Sequence, residues 1–153
     1  MKPENELNTQ FPSLSANEAL ARQLAAAFAA QMDPTLDELG DVKTAVSEAV
    51  TNVIVHAYPD SIGPVLLRLR RLPGNLLEIL VKDRGCGIPD VAKAREPMFT
   101  TGGAERSGMG FTIMESFMNS FSLRSAPGKG TTVKMRKKLT GRDQGSRIKD
   151  QGT

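Results

Sequence analysis

The sequence predicts an α+β fold, a two-layer α/β sandwich with helices on one face of a mixed, mostly antiparallel sheet. Three observations carry that expectation. Two helical patterns follow each other near the N-terminus, later strand-like runs pair off as hairpins around Pro/Gly turns, and helix and strand do not alternate as a doubly wound sheet requires. At 153 residues the chain is read as one domain, long enough to bury a real core. Its 39% hydrophobic and 24% charged residues are ordinary for such a domain.

The elements follow in order. "ELNTQFPSL" offers a short first strand. Ser15 with Glu18 three residues on has the spacing of a capping box and opens a helix to about Gln31. Leu20, Leu24, Ala27 and Phe28 give that helix its apolar stripe. Glu18 and Arg22 form an i,i+4 pair on another face, near Ala25 and Ala29; these alanines read as helix-forming filler, with a close-packing surface as the alternative. Asp33-Pro34 starts a second helix that continues to about Ala57, with Val42, Ala45, Val46, Ala49, Val50 and Val53 on its buried face. "GPVLLRLRRLPGNLLEILVKD" reads as a hairpin, Val65 to Arg71 and Leu76 to Lys82 around Pro-Gly-Asn. After the loop "DRGCGIPD" come a short helical piece, the Gly/Thr-rich "PMFTTGGAERSGMG" and a helix from about Gly108 to Asn119. "SFSLRSA", the turn "PGKG" and "TTVKMRKKL" close a second hairpin.

Three places carry chemistry. On the second helix Glu48, Asn52 and His56 recur every four residues and so share one stripe beside the apolar face. The amide oxygen of Asn52 suits magnesium when phosphates and waters supply the remaining ligands. Glu48, one turn away, is placed to take a hydroxyl proton during phosphoryl transfer; His56 reads as a hydrogen-bonded helix-end residue. In "DRGCGIPD", Asp83 is an acceptor for an exocyclic amine such as adenine's, while Gly85 and Gly87 permit the tight backbone path. "ERSGMGF" opens a helix whose free N–H groups suit phosphate, with Gly108 and Gly110 allowing close approach. The "FTTGGA" before it has the composition of a lid. Two other nucleotide-binding arrangements fail on spacing: a dinucleotide fingerprint needs glycine where Asp90 stands, and no G-x-x-x-x-G-K-[ST] occurs.

Together "SEAVTNVIVHAY", "DRGCGI" and "RSGMGF" resemble the N box and the two glycine boxes of the GHKL ATP-binding superfamily. The phrases "NEALAR", "DELGDVKTAVSEAVTN", "EPMFTT" and "ERSGMGFTIMESFM" closely resemble the anti-sigma F family of serine-protein kinases within it. The resemblance spans residues 4–139, leaving 140–153 as a basic, polar tail. It implies a Bergerat-type sandwich, ATP or ADP with Mg2+ as cofactors, and a homodimer. It also implies two partners, sigma factor F and an anti-anti-sigma protein that is phosphorylated on serine. By resemblance Glu48 is the general base and Asn52 the magnesium ligand. Asp83 meets the adenine amine, with Gly85 and Gly87 shaping its loop. Thr101, Ser107, Gly108, Met109 and Gly110 surround the nucleotide, and Arg106 is a lid arginine near the phosphates. Thr131 supports the adenine end, with its neighbour Thr132 as the alternative, and Arg22 belongs to the sigma and partner surface. The lid departs from the family pattern. Gly102 and Gly103 stand where lysine and proline are usual, in a segment one residue shorter, which bears on lid positioning and rate more than on nucleotide binding.

Composition narrows the rest. The net charge of +3 is modest, and no aromatic residues interleave with the basic C-terminal stretch, which argues against direct nucleic-acid binding. The single cysteine, Cys86, cannot form an internal disulfide, and no CxxC or Cys/His cluster points to zinc. No apolar window approaches a membrane span, so the cytoplasm is the expected compartment. Rival readings are a module that holds ADP without transferring phosphate and the equivalent kinase of a general-stress sigma factor. A histidine-kinase fragment fits less well, because no dimerisation helix with a phospho-acceptor His precedes the domain.

Overall fold

The computed structural model describes residues 1–89 and 105–141. Strand β1 (Asn5–Pro12) leads into helices α1 (Ala16–Ala30) and α2 (Leu36–Asn52), and α2 runs on as a π-helical turn, Val53–Ala57. Strands β2 (Pro64–Leu72) and β3 (Leu76–Asp83) form the first hairpin. Helix α3 (Glu105–Phe117) precedes the second hairpin, β4 (Ser120–Ala126) and β5 (Gly130–Lys138). The five strands lie in the order β1-β2-β3-β5-β4, and each neighbouring pair is antiparallel. This is the expected α+β sandwich. The short helical piece and the lid of the sequence reading lie outside the described residues.

Strand alternation decides which face carries the helices. Val65, Leu67 and Leu69 of β2, Leu77, Ile79 and Val81 of β3, and Val133 and Met135 of β5 are all buried. They join Val42, Ala45, Val46, Ala49 and Val50 of α2 and Met114 of α3 in a single core. The intervening residues form the outer face, where Arg68, Arg70 and Arg136 gather around Glu78.

Three local expectations change. The helix α1 buries Ala21, Ala25, Phe28 and Ala29, whereas Leu20 and Ala27 of the expected stripe are exposed. The alanines are therefore the close-packing surface, and α1 packs on α2, because a side chain of one carbon lets helix backbones approach. Ser15 does not cap α1 with its side chain: it lies in the right-handed helical region, φ −59°, ψ −30°. The side-chain cap operates instead at Thr35, extended at φ −71°, ψ 164°, whose hydroxyl accepts from the Glu38 N–H at 3.0 Å while Glu38 accepts from the Thr35 N–H at 2.8 Å. Helix α2 thus begins after Thr35, beyond Asp33-Pro34. The third change is at its far end, where the α-helix stops at Asn52 and widens into the π-helical turn.

Glu38 also ties the start of α2 to the segment that follows β5. Its carboxylate accepts from the Thr140 N–H and hydroxyl and from the Gly141 N–H at 2.6–3.0 Å. Partial burial alone would raise its pKa, but the bonds from Thr140, Thr35 and Gly141 outweigh that and hold it at about 2.

Candidate functional site

The polar stripe of α2 meets the second turn of α3. That helix begins at Glu105 and not at Gly108 as the sequence suggested, so Gly110 lies inside it and not among its free N-terminal N–H groups. A Cβ added at Gly110 would lie 3.1 Å from Asn52 Nδ2 and 3.3 Å from Glu48 Oε2. Any larger residue would press on both side chains. Phe111 and Met114, both buried, fix α3 in this position, and α2 and α3 pack together. Asn52 Nδ2 is buried without a hydrogen-bond partner among the described residues, a costly state for an amide unless a ligand completes it. The π-helical turn begins at the next residue, and such a turn, with its extra residue, is frequent beside functional sites.

That turn also carries the loop after β3. A π-helix ends with carbonyls that have no partner further along the chain, and Cys86 takes two of them. Its N–H donates to Ala57 O at 2.9 Å and its thiol to His56 O at 3.3 Å. Gly85 makes this docking possible, since a Cβ there would stand 2.2 Å from the Ala57 carbonyl oxygen. Gly87, at φ 77°, is equally confined, with Ala126 O at 2.0 Å from the position of its Cβ. The Tyr58 hydroxyl accepts from the Arg84 N–H at 2.8 Å and donates to Pro64 O at 2.7 Å. Tyr58 and the Cys86 contacts were not legible as site features, because both depend on the π-helical geometry. Half-buried His56 lies on the same turn, and burial holds its imidazole below the ordinary pKa.

Asp83, the last residue of β3, is only 4% exposed. The N–H groups of Gly85 and Thr131 donate to its Oδ1 at 2.9 and 3.2 Å, and Oδ2 takes no bond among the described residues. Burial pushes its carboxyl above the ordinary range, and the two N–H bonds only partly offset that. A buried acceptor with capacity to spare suits a hydrogen-bond donor. Thr131 is the partner of Asp83 on the inner face, while Thr132 pairs with Lys82 on the outer one. On β4, Ser125 completes the row Asp83–Thr131–Ser125 across three strands.

Other candidates stand elsewhere. Arg22 lies on α1, its Nε 3.0 Å from Glu18. Arg106, Ser107, Gly108 and Met109 fall in the first turns of α3, where only the backbone path is described. Thr101, Gly102 and Gly103 lie outside the described residues. Among the described residues no cluster of three or more His, Cys, Asp or Glu is placed to hold a metal, and no helix is long and apolar enough to cross a membrane.

Several known proteins are similar to this chain. The histidine kinase-like ATPase domain family matches residues 11–137. An anti-sigma F factor of Bacillus licheniformis is 51% identical over 139 residues, 90% of this chain and 94% of that protein. One of Caldanaerobacter subterraneus is 52% identical over 138 residues, 90% of this chain and 96% of its own length. Among solved structures, that of the RsbU and RsbW domains of a Mycobacterium tuberculosis protein matches with a TM-score of 0.66 at 18% identity, over 90% of this chain and 33% of that one. A histidine kinase domain from the blue-light activated kinase of Erythrobacter litoralis matches with 0.57 at 22% identity, over 83% of this chain and 63% of that one. At such identities these two bear on the fold alone.

Proposed function

This chain belongs to the histidine kinase-like ATPase domain family and, within it, to the anti-sigma F factors, and on that premise we propose that it binds sporulation sigma factor F and phosphorylates its antagonist. The antagonist is an anti-anti-sigma protein, modified on a serine with ATP as donor. The observation that carries the reading is the seating of Gly110 against both Asn52 and Glu48. It brings the glycine-containing second turn of α3 up to the amide suited to a cation and the carboxylate suited to a proton.

In this reading residues 4–139 are the kinase domain. Asp83 accepts the adenine amine in the loop shaped by Gly85 and Gly87, with Thr131 beside it. Thr101, Ser107, Gly108, Met109 and Gly110 surround the phosphates, and Arg106 adds charge from the lid. The amide oxygen of Asn52 and the phosphates suit magnesium, which binds through few protein ligands and keeps its waters, while the unpartnered Nδ2 is a donor for a phosphate oxygen. Once bound, magnesium would neutralise phosphate charge. Glu48 takes the proton of the attacking serine hydroxyl as its oxygen bonds to the γ-phosphorus and ADP leaves. Arg22 on α1 serves the sigma and antagonist surface, and the protein acts as a cytoplasmic homodimer.

The test is transfer of label from γ-labelled ATP to the purified anti-anti-sigma protein in the presence of magnesium. Serine labelling is expected, and Glu48→Gln is expected to reduce its rate by at least 100-fold, roughly the low end for loss of a general base, with ATP affinity kept. Absent labelling with intact ATP binding would leave a nucleotide-loaded sigma clamp and remove the kinase reading. Labelling at the wild-type rate by Glu48→Gln would remove Glu48 as the base.

A further inference from the structure

The Ser125 hydroxyl makes three contacts. The Ile88 N–H donates to it at 2.8 Å, Gly130 O lies at 3.0 Å, and Thr131 Oγ1 lies at 2.7 Å. A hydroxyl has one proton and two lone pairs. Ile88 uses a lone pair, and Gly130 O, a carbonyl, can only accept, so it takes the Ser125 proton. For all three contacts to be hydrogen bonds at once, Thr131 must donate its own proton to Ser125. The Thr131 oxygen is then left with lone pairs only, beside the carboxylate of Asp83 and in the same inner-face row.

From this proton count we infer that Ser125 is a positioning residue for base selection: it fixes Thr131 as an acceptor, so that the row presents acceptors alone and selects adenine over guanine. The inference rests on the reading above that Asp83 meets the base. Adenine offers an amine with two N–H donors at its six-position, which matches two acceptors. Guanine and hypoxanthine carry a carbonyl oxygen there, which would meet lone pairs on both sides and leave buried acceptors unpaired. Without Ser125 the Thr131 hydroxyl could turn its proton toward such a carbonyl and relieve part of the rejection.

Ser125 also holds the loop after β3 through Ile88, so a purely structural role has to be separated. Losing that tether would weaken all purine nucleotides alike. Losing the polarity would change their ratio. The measurement is titration calorimetry of ATP, GTP and ITP against wild type and Ser125→Ala, Ser125→Thr and Ser125→Cys. Wild type is expected to bind ATP and discriminate strongly against GTP and ITP. Ser125→Ala should lower that discrimination at least tenfold, and Ser125→Thr, which keeps the hydroxyl, should restore it. Ser125→Cys is nearly isosteric and a poor acceptor, so it should also lose discrimination and carries the test if the alanine variant does not fold. Unchanged ratios in the alanine or cysteine variant, whatever the absolute affinities, would overturn the role of Ser125. Failure of wild type to bind ATP, or equal affinity for all three nucleotides, would overturn the base-pocket reading on which it stands.

Discussion

Strand β3 carries two buried carboxylates, and the protein treats them in opposite ways. Glu78, 3% exposed, faces outward from the sheet, and Asp83, 4% exposed, faces the helices. Burial alone would raise both pKa values. At Glu78 the guanidiniums of Arg136 and Arg68, bonded at 2.9 and 3.1 Å, reverse that and lower it. At Asp83 only two backbone N–H groups respond, and the pKa stays raised. The outer carboxylate has its counter-charge built in and needs nothing more. The inner one has no counter-charge beside it, which is what the binding role proposed for Asp83 requires of an acceptor.

The largest effect that sharpens this contrast is on stability. Glu78→Gln leaves Arg68, Arg70 and Arg136 crowded without their carboxylate and should cost about 3 kcal/mol, seen as a lower urea midpoint with ATP affinity unchanged. Glu38→Gln, at the capping box that also ties Thr140 and Gly141, should cost about 1–2 kcal/mol by the same measurement. Asp83→Asn should do the reverse and leave the apo protein as stable as wild type or slightly more so at neutral pH.

Acid should separate the carboxylates further. Glu78 and Glu38 have folded pKa values below their ordinary 4.5, so their contributions are present above that value and fade as pH falls, for Glu38 through about 2. Asp83 has a folded pKa above its ordinary 3.8, so its contribution is full below that value and is lost as pH rises through the folded one. The stability advantage of Asp83→Asn over wild type should therefore shrink between pH 7 and pH 4, measured by urea unfolding at each pH. An advantage that grows on acidification would contradict the assignment.

Much of this was legible in the sequence, and the misses have physical causes. Strand-like runs around the Pro-Gly turns placed both hairpins, and the buried face holds their register, since a one-residue slip would expose Leu67, Ile79 and Met135. The Glu48–Asn52 stripe followed from helical period alone. The spacing Ser-x-x-Glu at Ser15 matched a capping box as well as Thr-x-x-Glu at Thr35, yet only Thr35 has the extended backbone that turns its hydroxyl onto the helix. Composition marked Ala25 and Ala29 as filler because their value lies in the approach of α2, a tertiary fact. The π-helical turn left no trace, because Val53, Ile54 and Val55 suit either helix. Ser125 was invisible for a related reason: it joins Asp83 only through the register of three strands, which no local pattern encodes.

The central claim is that Asp83 is a base-binding acceptor, and calorimetric titration of ATP into wild type and Asp83→Asn tests it most directly. Asparagine keeps an oxygen for the Gly85 and Thr131 N–H groups but replaces the second acceptor with a donor. The account predicts an ATP affinity at least tenfold weaker, about 1.4 kcal/mol, in a variant that remains fully folded. Equal affinity in the two proteins would contradict it and remove Asp83 from the nucleotide pocket.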